Sequence, residues 1–139
     1  MRIMAVDYGD VRTGFAICDV TETLASPRGV IHERSADKLI QKIAAVVTEL
    51  EIGEIIVGNP INMNNTRGER SEKCVLFAEK LKETVNVPVS LWDERSTTQM
   101  AHTLLNEGDK RGKKRKEIID AAAAAVILEN YLVFRKNQM

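Results

Sequence analysis

Histidine and cysteine chemistry has little material to work with in this chain. Of 139 residues, two are histidine, His32 and His102, and two are cysteine, Cys18 and Cys74. The histidines lack the spacing of a triad or of a metal cage. The cysteines lie far apart without ligand spacing, and reduced thiols in a cytoplasmic protein are expected. Aromatic residues make up 4%, too few for a broad platform on which bases stack. No apolar run approaches the roughly 20 residues of a membrane span. The N-terminus enters a strand-like pattern directly, without a signal-peptide layout, so no membrane partner is expected. Lysine plus arginine balance aspartate plus glutamate, 20 against 20, so no global attraction to nucleic acid is implied. No repeat or linker interrupts the chain, and one domain over residues 1–139 is expected.

What is present is a globular pattern, with 44% hydrophobic and 29% charged residues. Residues 2–7 and 13–19 predict two strands joined by the turn Tyr8–Arg12, too short for a parallel crossover and therefore an antiparallel hairpin. A third strand is expected near 29–32. Ser35 predicts the N-cap of a helix over 36–50, with Leu39, Ile43 and Val47 on one face. Strands near 54–57 and 87–92 alternate with helices over 69–84, 96–108 and 117–135, the third helix announced by the capping box Ser96-Thr97-Thr98-Gln99. Segments 60–68 and 107–116 read as loops. A meander followed by alternating units predicts an α/β fold, a mixed sheet flanked by helices.

Three carboxylates stand where packing does not need them. Asp7 ends an apolar run, Glu94 follows another, and Asp120 interrupts an alanine-rich stretch that continues to Leu128. Carboxylates are seldom buried without a partner or a metal. Asp7 and Glu94 are expected at the carboxyl ends of parallel strands, where open α/β sheets bind ligands. Asp120 is expected to open the last helix, favoured there by the helix dipole, on one stripe with Ala124, Ile127 and Tyr131. Such a cluster needs cations, and two hard dications, Mg²⁺ or Mn²⁺, suit oxygen ligands and phosphodiester hydrolysis. Asp93 rivals Glu94, because strand alternation puts the two on opposite faces. Lys110, Arg111, Lys113, Lys114, Arg115 and Lys116 crowd six positive charges just before Asp120, suited to phosphates without reading sequence. Arg12 is a candidate for contact with phosphate or for orienting Glu94. Asn59 and the 60–68 loop are expected to border the crevice.

The segments Asp7-Tyr8-Gly9-Asp10-Val11-Arg12-Thr13-Gly14-Phe15-Ala16, Gly58-Asn59-Pro60 with Gly68, Asp93-Glu94-Arg95-Ser96-Thr97-Thr98, and Asp120-Ala121-Ala122 with Ile127-Leu128 resemble, in order, the motifs of the YqgF family. The resemblance covers essentially the whole chain. It implies a ribonuclease H-like fold with a five-stranded mixed sheet, three antiparallel strands plus two parallel ones. It implies Asp7, Glu94 and Asp120 as catalytic, metal-binding carboxylates, with Gly9, Arg12 and Gly14 shaping the hairpin beside them. The activities attached to the family are processing of precursor 16S rRNA and resolution of Holliday junctions. The reading is a metal-dependent nuclease acting on precursor rRNA, with ribosomal precursor particles as possible partners and the chain a monomer or homodimer. Its rivals are a dimeric resolvase of branched DNA, a non-catalytic RNA-binding protein, and an actin-like phosphotransferase, for which one lobe is too few.

Overall fold

The computed structural model describes residues 1–60, 68–94 and 112–138, with the backbone alone described for Glu94 and for residues 112–118. The elements are β1 (Arg2–Asp7), β2 (Arg12–Cys18), β3 (Ala25–His32), α1 (Ala36–Glu49), β4 (Ile52–Pro60), α2 (Glu69–Thr84), β5 (Val89–Glu94) and α3 (Gly112–Gln138). They form one five-stranded sheet in the order β3-β2-β1-β4-β5. β1, β2 and β3 pair antiparallel, whereas β4 pairs parallel with both β1 and β5. This is the expected mixed architecture.

Period-two alternation divides the core. Met4, Val6, Ile55 and Val57 face α1 and α2, where they meet Leu39, Ile43, Phe77 and Leu81. Ile3, Ala5, Ala16 and Ile56 face α3 and meet Ala124, Ile127 and Leu128. Ser35 caps α1 as expected, its hydroxyl accepting from the Lys38 amide at 3.3 Å.

Three boundaries differ from expectation. β3 begins at Ala25 and runs through Pro27; it is an edge strand, where a missing N–H costs no ladder bond, and a register shift at Phe15/Ala16 accommodates the irregularity. β4 extends over Ile52–Pro60, longer than its apolar centre, because it is paired on both sides. The last helix begins at Gly112 rather than 117, so Lys113, Lys114, Arg115 and Lys116 have helical backbone instead of forming a loop. Lysine and arginine are good helix formers, and the alanine run that follows propagates the same conformation. The helix expected over 96–108, with Lys110 and Arg111, lies outside the described residues.

Candidate active site

The carboxyl ends of β1, β4 and β5 lie along one edge of the sheet, since the three strands run parallel with Val6, Val57 and Leu91 in register. Asp7 is the last residue of β1. It has the parity of Ile3 and Ala5, hence the α3 face, and pairs across the hairpin with Gly14. Gly14 decides how close α3 comes. A Cβ there would lie 2.1 Å from the Asp120 carbonyl oxygen and 2.9 Å from the Ala121 nitrogen. Only glycine leaves room for the helix backbone, which delivers Asp120 beside Asp7.

Asp120 sits two turns inside α3, not at its start. The helix dipole acts mainly on the first turn, so it is not the chief anchor. That anchor is Arg12, whose Nε donates to Asp120 Oδ2 at 3.0 Å. Arg12 thus orients one carboxylate of the candidate site, Asp120; the expected pairing with Glu94 lies outside the described side chains. Among the described residues nothing is bonded to Asp120 Oδ1.

Burial pushes the Asp7 carboxyl up to about 7, the neighbouring Asp120 charge adds to the rise, and the Arg70 guanidinium pulls the other way. Among the described residues no hydrogen bond reaches the Asp7 carboxylate. A half-buried acid without donors among the described residues, beside a second carboxylate, is a set of hard oxygen ligands that a dication fits. No cluster of three metal-ligating residues occurs among the described side chains, which do not include Glu94.

Arg70 is absent from the sequence expectations. It opens α2, donates to the Tyr8 carbonyl, reaches Asp10 Oδ1 at 3.1 Å, and places its guanidinium 5.0 Å from the Tyr8 ring centroid. The only hint in the sequence is its place just after Gly68, where the expected crevice loop ends.

Asn59, expected at the crevice rim, is instead wholly buried. Its Nδ2 donates to Asp93 Oδ1 at 3.1 Å, and its Oδ1 accepts from the Ser71 hydroxyl at 2.7 Å. The amide is occupied at both ends and ties the start of α2 to the ends of β4 and β5. Asp93 has the parity of Leu91 and belongs to the α1/α2 side, whereas position 94 shares the parity of Trp92, which packs on the α3 side. The rival acid is therefore already engaged away from Asp7.

The model of the family described as RuvX, Holliday junction resolvase, matches residues 1–133. The chain belongs to the RuvX family. RuvX relatives of near-equal length include a protein of Thermoanaerobacter pseudethanolicus, 45% identical over 139 residues, covering 99% of this chain and 100% of that one. Another, from Listeria monocytogenes, is 43% identical over 136 residues, covering 95% and 97%. Both bear the name "Putative pre-16S rRNA nuclease". Among solved structures, Thermus thermophilus RuvC in complex with Holliday junction substrate superposes with TM-score 0.61 at 13% identity, covering 99% of this chain and 96% of that one. The fowlpox virus Holliday junction resolvase gives 0.59 at 15% identity, covering 96% and 99%. At such identities the likeness establishes the fold, and the RuvX chain has the ribonuclease H-like architecture of these resolvases.

Proposed function

We propose that this nuclease of the RuvX family hydrolyses phosphodiester bonds with the help of divalent metal, and that its substrate is the 5′ end of precursor 16S rRNA. The observation that carries the metal dependence is the juxtaposition of Asp7 and Asp120, two carboxylates brought together from opposite ends of the chain through Gly14. Asp7, Asp120 and Glu94 would hold Mg²⁺ or Mn²⁺, and two such ions would supply an activated water and charge neutralisation at the departing 3′ oxygen.

The remaining roles belong to the chain itself. Arg12 holds the Asp120 carboxylate in one orientation. Asp7, half-buried at the end of β1, offers its carboxylate from the α3 face of the sheet. Asn59 binds Asp93 and thereby fixes the end of the strand that carries Glu94, with position 94 on the parity of the α3 side. The basic residues Lys110 to Lys116 neutralise substrate phosphates, without choosing a sequence. No histidine base is required.

The substrate reading leans on the names of the relatives. A second reading, resolution of four-way DNA junctions, is favoured by the description of the family itself. It requires two sites on a symmetric dimer. One panel separates them: purified protein with Mg²⁺ or Mn²⁺, offered precursor 16S rRNA ends, single-stranded RNA and four-way DNA junctions, with the products mapped. Selective trimming of the precursor supports the first reading. Paired symmetric nicks in the junction with no action on rRNA overturn it.

A further inference from the structure

On the opposite side of the sheet from α3, the chain carries a second charged feature that hydrolysis does not use. A groove of about 180 Å³ runs between α1 and α2, lined by Tyr8, Ala36, Lys73, Leu76, Phe77 and Lys80. Its floor is rigid, because Tyr8 stacks on Phe77 with centroids 4.3 Å apart and planes 6° from parallel. Arg70 covers the Tyr8 ring at 5.0 Å and is fastened to the Tyr8 carbonyl. Tyr8, which lines one end of the groove, follows directly on Asp7, the last residue of β1.

Cations line this path. Arg70 and Lys73 both reach the same oxygen, Asp10 Oδ1, at 3.1 and 3.6 Å, and Lys80 stands further along the groove. Asp10 is the most solvent-exposed member of the cluster, at 61%. Exposed ion pairs are worth little, about 0–1 kcal/mol, so this carboxylate is readily displaced by a better anion. Two cations converging on one oxygen of a loosely held carboxylate form a ready receptor for a phosphate oxygen.

We propose that this groove binds the sugar–phosphate backbone of a single-stranded segment of the substrate, with Arg70, Lys73 and Lys80 taking phosphates and Asp10 occupying the first position when nucleic acid is absent. The ligand's identity rests on the nuclease reading. The cationic geometry of the groove does not, and the test involves no turnover, so the two fail separately.

The experiment is fluorescence anisotropy of the full-length protein with a labelled 12-nucleotide single-stranded RNA in EDTA, over a series of salt concentrations. Each phosphate contact in a single strand adds about 0.7 to the slope of log affinity against log salt. Lys73→Gln with Lys80→Gln should flatten that slope by about 1.4 and weaken binding severalfold, with melting temperature unchanged. Asp10→Asn, which removes the competing anion, should tighten binding severalfold. An unchanged slope in the lysine variant, weaker or equal binding by Asp10→Asn, or no binding by the wild-type chain would each overturn the assignment.

Discussion

Gly14 and Asp120 are in backbone contact across the β2–α3 interface, so close that a Cβ on Gly14 would lie 2.1 Å from the Asp120 carbonyl oxygen. Because Gly14 also pairs with Asp7 across the hairpin, the same missing side chain sets the separation of two carboxylates that are 113 positions apart in sequence (120 less 7). Gly14→Ala should push α3 outward and destabilise the chain by about 1–3 kcal/mol, as overpacking does. It should also lower cleavage by more than the loss of folded protein explains. Urea denaturation with parallel activity assays checks this.

Asp7 gives a pH signature. Its folded-state carboxyl is raised to about 7 from the ordinary 3.8. Between those values the folded protein holds a proton that the unfolded chain has released, so stability falls as pH rises through this window and levels off above it. The cost at pH 8 without metal is on the order of 4 kcal/mol. In EDTA, Asp7→Asn should therefore melt above wild type at pH 8 and converge with it near pH 4.

The same proton opposes metal. Binding of Mn²⁺ requires the ionised carboxylate, so wild-type affinity should rise roughly tenfold per pH unit below about 7 and flatten above it. Isothermal titration from pH 5.5 to 8 reads this directly, and buffers of differing ionisation heat should reveal about one proton released below the turning point.

Arg12 acts through Asp120, so its removal should resemble loss of a group that orients a metal ligand. Arg12→Ala should cost about 10–100-fold in metal affinity or rate, and Arg12→Lys should rescue it only in part, because lysine lacks the planar guanidinium.

Far from the site, Arg135 of α3 bonds Glu22 at 2.7 Å and Glu54 at 3.2 Å, while Tyr131 donates to the nearly buried Glu54. The N-terminal amine joins the cluster through Glu22 at 3.2 Å. Arg135→Met should destabilise by about 1–2 kcal/mol by leaving Glu54 short of a partner, yet keep the activity of each folded molecule. Chemical denaturation and specific activity separate the two effects.

Much of this was legible in the residues because the signals were local. The hairpin followed from a short turn, and the stripe Asp120-Ala124-Ile127-Tyr131 followed from helical period. The mixed character of the sheet followed from a meander succeeded by alternating helices and strands. What escaped depended on contacts across the fold. Nothing near Arg70 in sequence indicates that its guanidinium lies over Tyr8. Asn59 was expected to border the crevice at the end of its strand, but Ser71 and Asp93, distant in sequence, make it a buried tie. The early start of α3 was missed because a dense positive run suggests solvated chain, although each of those residues is individually compatible with a helix.

The central claim is that Asp7 and Asp120 hold the divalent metal that cleavage needs. The most direct measurement is the initial rate of cleavage of a precursor 16S rRNA 5′-end fragment as a function of Mn²⁺ for wild type, Asp7→Asn and Asp120→Asn, each first shown to be folded. The account predicts saturable, EDTA-sensitive cleavage by wild type and a loss of about 10²-fold or more in both variants at all metal concentrations. Cleavage by wild type in EDTA, or wild-type rates in either variant, would contradict it.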